Sequence, residues 1–504
     1  MRRGRSVVSS ELDHLLADCA LAFYNLGNAC QEEGRTAEAV EAYQKALELK
    51  PSYAEALNNL GNIVTAQGNF SAALGFYERA LVVNPNDSTY WGNIGAVQFM
   101  LGEFERAIHT YHKALELNPH SAKVLSNLGN TVSALGRFAE AKEYYERAMA
   151  LEPTQPIYAT NLGSALFRMG EFEQSIEAHR RALHLQGDLP QIKLNLALAL
   201  LASGQFEEGW PLYETRWQTD ELAHAYRDFP QPLWRGETEK GRTLFIHFEQ
   251  GLGDTLQFCR YASLAAAKGM RVILEVQEPL VRLLKTLEGV EVIGPVGDAP
   301  PTCDFHCSTM SLPLAFQTRL DTIPGHTPYL RANPQDVQVW KEKLAPLAPG
   351  KMRVGITWAG MSRRYAAEAA MTDRRRSMSP ELLESLFKNN NICFFSLQKD
   401  GEKVADSFGL VDMMDECHDF ADTAALIENL DLVISVDTSV AHLAGALGKP
   451  VWLMNRFDSC WRWSRDSEST PWYPSMRIFH SPAPGDWQSV VTRVANELHK
   501  QITI

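Results

Sequence analysis

The 504-residue sequence predicts an N-terminal α-solenoid followed by a pair of doubly wound α/β domains. Two observations carry that prediction. Asparagine recurs every 34 residues, at Asn25, Asn59, Asn93, Asn127, Asn161 and Asn195, and a period of that length marks stacked helix-turn-helix units. From residue 241 onward the pattern changes to short aliphatic runs alternating with helical stretches, as buried parallel strands and their crossovers require.

The solenoid register is overdetermined. Each asparagine precedes an aliphatic residue and, in the first five units, a glycine, as in Asn59-Leu60-Gly61; the sixth reads Asn195-Leu196-Ala197. Gly34, Gly68, Gly102, Gly136, Gly170 and Gly204 keep the same interval, where the turn between two helices needs a permissive residue. Tyr43, Tyr77, Tyr111, Tyr145 and Tyr213 fall in step, with His179 standing in the remaining unit. Ala46, Ala80, Ala114, Ala148 and Ala182 follow three residues behind the Tyr/His position, and Pro51, Pro85, Pro119 and Pro153 close the first four units, since proline does not continue a helix.

In the second half, strands are expected at Thr243–Phe248, Arg271–Val276, Val290–Ile293, Met352–Trp358, Ile392–Leu397, Leu432–Val436 and Val451–Met454. The expected domain limits are 1–217 for the solenoid, 218–240 for a connector, 241–345 for a first α/β domain and 346–504 for a second. Ligands of paired doubly wound domains bind at the carboxyl ends of the strands. Trp487–Ile504 reads as a closing helix.

Composition narrows the function classes. The net charge of −13 argues against nucleic acid as a partner. The longest apolar run, Leu194 to Ala202, is far short of the ~20 residues that span a bilayer. Eight scattered cysteines without a disulfide framework fit a cytoplasmic chain. Cys303, His306 and Cys307 lack a fourth ligand at a workable spacing, so no metal site is expected.

Three places carry candidate chemistry. Glu249-Gln250-Gly251-Leu252-Gly253-Asp254 follows the first strand. A dinucleotide fingerprint would need glycine where Leu256 stands. Asp254 is then either a helix N-cap or a general base. Asp437-Thr438-Ser439-Val440-Ala441-His442 follows the strand Leu432–Val436. Free amides and hydroxyls at that helix start suit a diphosphate, with His442 one turn in; the alternative is that Asp437 or Thr438 caps the helix and His442 packs. Arg374-Arg375-Arg376, with Arg363 and Arg364 nearby and Lys399 after a further strand, suits phosphate oxygens; the alternative is a solvated loop.

These residues carry two resemblances. Residues 10 to 217 resemble the tetratricopeptide repeat. Residues 241–480 resemble GT-B glycosyltransferases of the heptosyltransferase type (glycosyltransferase family 9), through Gly251-Leu252-Gly253-Asp254 and through the run from Asp437 to Pro450. The second resemblance implies a GT-B pair of Rossmann-like domains, with Asp254 and His442 catalytic. It places Asp437, Thr438, Ser439 and His442 around the donor diphosphate, with Arg376 standing before Pro380 where the family has a lysine; Gly251, Gly253 and Lys399 complete the expected donor-binding set. In GT-B proteins a closing helix commonly crosses back to the first domain.

The whole chain is similar to bacterial fusions of these two parts, and its layout is similar to that of protein O-GlcNAc transferases, in which repeat asparagines hold the acceptor polypeptide. The implied activity is glycosyl transfer, inverting and metal-independent, from a nucleotide sugar as co-substrate with no bound cofactor. The implied partner is a polypeptide held by Asn25, Asn59, Asn93, Asn127, Asn161 and Asn195, since amides pair with backbone irrespective of sequence. Alternatives are a non-catalytic scaffold with a sugar- or protein-binding domain, and a transferase acting on a glycan.

Overall fold

A computed structural model describes residues 2–220, 222–297, 300–360, 367–399 and 408–502. The chain divides into two compact units, Met1–Ala165 and Leu166–Ile504.

The N-terminal part is six helix pairs: α1 (Arg2–Glu32) with α2 (Thr36–Leu49), α3 (Ala54–Ala66) with α4 (Phe70–Val83), α5 (Ser88–Met100) with α6 (Phe104–Leu117), α7 (Ala122–Ala134) with α8 (Phe138–Leu151), α9 (Pro156–Met169) with α10 (Phe172–Gln186), and α11 (Pro190–Ala202) with α12 (Phe206–Tyr213). The turn glycines at 34, 68, 102, 136, 170 and 204 all have φ between 75° and 81°, a backbone state that closes a helix and strains any residue with a Cβ.

The glycine after the recurrent asparagine has a different cause. A Cβ on Gly27, Gly61, Gly95 or Gly129 would lie 2.5 to 2.7 Å from the ring of Tyr43, Tyr77, Tyr111 or Tyr145. The tyrosine of the second helix therefore lies flat on bare backbone of the first. Its hydroxyl is also fixed: Tyr43 donates to Asn28 Oδ1 at 2.7 Å, Tyr77 to Asn62 Oδ1 at 2.8 Å and Tyr145 to Asn130 Oδ1 at 2.7 Å. The alanines three residues on, Ala46, Ala80, Ala114 and Ala148, are fully buried and let the helices close up.

Two parallel sheets follow, both in the second unit. The first holds β1 (Thr243–His247), β2 (Arg271–Glu275), β3 (Val290–Ile293) and β4 (Phe305–Ser308) in the order β3-β2-β1-β4. The second holds β5 (Met352–Thr357), β6 (Ile392–Ser396), β7 (Val411–Asp412), β8 (Leu432–Val436), β9 (Val451–Asn455) and β10 (Met476–His480) in the order β10-β9-β8-β5-β6-β7. Strand order reverses between β1 and β4 and between β5 and β8, the places where doubly wound sheets open a crevice. The α-solenoid and the pair of Rossmann-like domains expected from the sequence are both present.

Three strands were not expected. β4 reads Phe-His-Cys-Ser, β7 is two residues long, and β10 reads Met-Arg-Ile-Phe-His; none has an aliphatic run. The stretch 218–240 also has structure: Leu233 bridges His306, Trp234 N–H donates to the His306 carbonyl at 2.8 Å, and Trp234 is buried. The closing helix, Trp487–Ile502, does not take the expected course toward the first domain. Its stripe of Trp487, Val490, Val491, Val494 and Leu498 is used on Trp452, Phe479, Leu383 and Leu386 of the second.

One hydrophobic core in the second unit runs without a break through Leu194, Leu201, Trp210 and Tyr213 of the sixth repeat, Leu256 and Phe258 of the first α/β domain, and Trp461, Trp463 and Trp472 of the second. Among the described residues no helix is long and apolar enough to cross a membrane.

Candidate active site

The loop after β1 is tied down at its first residue. The Glu249 side chain is buried and accepts Arg216 Nε at 2.9 Å and Nη2 at 2.8 Å; Ser308 also donates to it. The chain then turns into the helix Leu252–Phe258, whose N-cap is Gly251. Asp254 is therefore not the N-cap. It lies three residues further on, and its Oδ2 accepts the Gly251 N–H at 3.0 Å. Its Oδ1 accepts from Arg462.

After β8 the chain enters the helix Ser439–Ala446 with Thr438 at the cap position. Thr438 makes no cap bond; its hydroxyl lies 3.1 Å from Ser435 Oγ. Capping is thus not what Thr438 does here, and the first amides of that helix carry no side-chain cap. Asp437, Thr438 and Ser439 are half-buried at the strand end.

His442, one turn in, is buried between aromatic neighbours. Its Nδ1 lies 2.9 Å from the Tyr473 hydroxyl, its ring tilts against Trp463 at 5.3 Å, and its Nε2 is 3.9 Å from Asp437 Oδ1. Burial pulls its pKa down to about 4, so the ring is neutral at pH 7.

These two helix starts come together because Gly253 has no side chain. A Cβ there would lie 2.9 Å from His442 Cδ2 and 3.6 Å from Ser439 Cα. Gly253 therefore serves the approach of the two domains rather than the turn itself, and it brings Asp254 of one domain beside Ser439 and His442 of the other.

The arginines are not in a solvated loop. Arg374 to Arg376 end the helix Ala367–Arg376. Arg376 pairs with Asp373 at 2.8 Å and its guanidinium lies against Gly360, just after β5. Arg375 pairs with Asp458 at 2.8 Å. Arg363 and Arg364 lie outside the described residues. Lys399 is exposed, and its ammonium donates to the carbonyls of Met414 (3.3 Å) and Cys417.

Cys303, His306 and Cys307 do not converge. His306 stacks on His247 at 5.8 Å and tilts against Phe229 at 4.8 Å, Cys303 packs in the cluster around Phe229, and Cys307 turns into the main core.

The asparagine row bridges repeats. Asn59 Nδ2 donates to Asn28 Oδ1 at 3.0 Å and to the Tyr43 hydroxyl at 3.2 Å. Asn93 Nδ2 donates to Asn58 Oδ1 at 2.8 Å and Asn62 Oδ1 at 3.2 Å, Asn127 bonds the Tyr111 hydroxyl, and Asn161 Nδ2 donates to Ser126 Oγ at 3.1 Å. Asn25 is exposed, and Asn195 accepts from Gln191 on its own helix at 3.3 Å.

Sequence reasoning missed Arg216, Arg260, Asp458 and Arg462. Arg260 is buried and donates to the Pro324 and Trp472 carbonyls and the Tyr329 hydroxyl. All four lie in stretches without a motif. The one available signal was charge amid aromatic residues, as in Trp461-Arg462-Trp463 and Arg216-Trp217.

Comparison with known proteins agrees with this architecture. Residues 15–223 match the family described as cilia and flagella-associated protein 70 C-terminal domain, a tetratricopeptide family. Residues 380–453 match glycosyltransferase family 9 (heptosyltransferase). Protein FlbA of Caulobacter vibrioides is 28% identical over 322 residues, 58% of this chain and 52% of FlbA, so the match spans about half of that relative's length. Among solved structures, the PilF protein of Pseudomonas aeruginosa aligns over 40% of this chain and 92% of its own at 21% identity and a TM-score of 0.37. A tetratricopeptide protein of the thermophile Thermus thermophilus aligns over 36% of this chain and 99% of its own at 22% identity and a TM-score of 0.33. The chain thus joins tetratricopeptide-like repeats to an α/β part in which residues 380–453 match glycosyltransferase family 9, the heptosyltransferase type.

Proposed function

We propose that the protein is an inverting, metal-independent glycosyltransferase that moves a sugar from a nucleotide sugar to a polypeptide acceptor held by the repeats. The observation that carries this reading is the meeting of two helix starts at Gly253, with a carboxylate on one side and uncapped amides on the other. Asp254 takes the proton of the acceptor hydroxyl as its oxygen bonds the anomeric carbon. The bond from that carbon to the diphosphate breaks, and the electron pair leaves on phosphate. The amides and hydroxyls at Thr438 and Ser439, with Arg376, offer fixed positive potential to that leaving group. His442, neutral, donates a hydrogen bond without adding charge. Lys399 belongs to the donor side only if it leaves the Met414 and Cys417 carbonyls.

The polypeptide acceptor is supported by the regular amides at Asn93, Asn127 and Asn161. Bonds between repeats already use part of their capacity, so the row both braces the repeats and offers its remaining lone pairs to a bound chain. Free cysteines at all eight positions suit action in the cytoplasm.

The test is Asp254→Asn. Transfer should fall about 10²–10⁴-fold, while a nucleoside diphosphate still protects the protein from thermal unfolding without divalent metal, by ~2.7 kcal/mol at 100 times its dissociation constant. Wild-type turnover in the variant removes Asp254 from the mechanism. Protection that disappears with a chelator removes the metal-free donor site.

A further inference from the structure

Asp254 is held from the opposite domain. Arg462 lies in the segment after β9, and only 11% of its side chain is exposed. Its Nη2 donates to Asp254 Oδ1, its Nε to Gln257 Oε1 at 2.7 Å and its Nη1 to Cys460 Sγ at 3.1 Å. The guanidinium lies over Trp461 at 4.6 Å and near Phe258 at 5.7 Å. One planar fork thus grips two residues of the Leu252–Phe258 helix, and its own position is fixed by sulfur and aromatic contacts. Arginine does this with little remaining freedom.

The segment that carries Arg462 is in turn fastened to the fifth and sixth repeats. Asp458 accepts from Arg168 at 3.4 Å. Arg465 donates to the Met169 carbonyl and packs on the Gly170 turn. Trp461 meets Trp210 edge-on at 5.3 Å. These anchors stand on both sides of Arg462.

We propose that Arg462 is a positioning residue for Asp254, and that the fifth and sixth repeats set its place through this segment. The proposal rests on Asp254 being the base. A carboxylate that takes a proton in the transition state must present one lone pair in a fixed direction, and small misplacements are costly. Gly251 N–H holds one oxygen of Asp254 and Arg462 holds the other. Each oxygen keeps a lone pair for the acceptor hydroxyl.

The experiment uses the full chain with Arg462→Gln, Arg462→Lys and Arg168→Gln, each alone and combined with Asp254→Asn. The readout is nucleoside diphosphate released from a panel of UDP-, GDP- and ADP-linked sugars, compared on the member that the wild type turns over best. Arg462→Gln should lower kcat about 10–100-fold with KM for the sugar nucleotide little changed, and Arg462→Lys should restore part of it. Arg168→Gln, remote from the site, should cost a few-fold in kcat. In the Asp254→Asn background neither change should cost anything further, because residues acting as a unit are not additive.

An equal loss in both backgrounds, or a loss confined to KM, would overturn the positioning role. Arg168→Gln with wild-type kcat would overturn the part of the repeats. If Asp254→Asn alone keeps full turnover, the base assignment is what fails. Thermal unfolding supplies an arm that needs no donor: the drop in melting temperature for Arg462→Gln with Asp254→Asn should fall short of the sum of the single drops. A full sum would show that the two side chains are not coupled.

Discussion

Glu249 holds Arg216 with both carboxylate oxygens, and neither side chain reaches solvent to any useful extent, at 2% and 0% exposure. Glu214 and Ser311 close the same network, at 2.7 Å and 2.8 Å from the guanidinium. Arg216 follows the last repeat helix and Glu249 opens the loop that leads to Asp254, so the repeats end in a buried ion pair beneath the candidate site.

Removing one partner of that pair leaves the other charged and dry. Arg216→Gln should destabilise the protein by about 3–5 kcal/mol, read as a lower midpoint in denaturant unfolding. Glu249→Gln with Arg216→Met should recover much of the loss, since two apolar or neutral groups of similar shape escape the desolvation penalty. Recovery of stability without recovery of turnover would separate the structural pair from its service to the loop.

The flat tyrosines make a second prediction. Gly129→Ala places a methyl group 2.6 Å from the Tyr145 ring. Overpacking of this kind costs about 1–3 kcal/mol. The same change at Gly75, where nothing lies within 4 Å of the added Cβ, should be neutral or slightly stabilising because it sits inside α4. Comparing the two melting temperatures separates crowding from helix propensity.

Replacing Asn93, Asn127, Asn161 and Asn195 together with alanine tests the two duties of the row. Each lost bond should cost ~0.5–1.5 kcal/mol, so the repeats should melt earlier while circular dichroism shows intact helix. Transfer to polypeptide should fall and hydrolysis of the donor should not. Normal transfer in a folded variant would leave the row with bracing alone.

His179 gives the protein an acid-sensitive stability. Burial pulls its pKa from 6.5 down to about 4. The unfolded chain therefore takes up the proton first as pH falls. Stability from this group is complete above pH 6.5 and is lost progressively between 6.5 and about 4, by about 3 kcal/mol in all. His179→Tyr, the residue type found at that place in the other five units, should flatten the dependence of melting temperature on pH across that window.

How much of this was legible in the sequence follows from the range of the interactions. The repeats were, because their contacts recur within one period: tyrosine on glycine, hydroxyl on amide. The starts of the site helices were too, since Gly251-Leu252-Gly253-Asp254 and Asp437-Thr438-Ser439 are local turns. What those residues do was less so. Gly253 reads as a turn glycine until His442 is placed against it. Arg462 is 208 residues from Asp254, and nothing near either one announces the other. Arg376 read as part of a solvated loop or a phosphate cradle; it ends a helix and bonds Asp373, which excludes the solvated loop. The second strand set lost β10 because Arg477 and His480 interrupt its apolar residues, and a search for aliphatic runs passes over such a strand.

The core shared by the sixth repeat and the two α/β domains has an evolutionary consequence. A cut near residue 217 would expose Trp210 and Tyr213 on one side and Leu256, Phe258 and Trp461 on the other. The α/β part is therefore inherited together with the sixth helix pair, and recombination that preserves folding must fall upstream of that pair. There, each of the first four 34-residue units carries its own turn glycine and its own tyrosine, and asparagine bonds tie it to the next. Such units can be added or exchanged while the α/β core is left untouched.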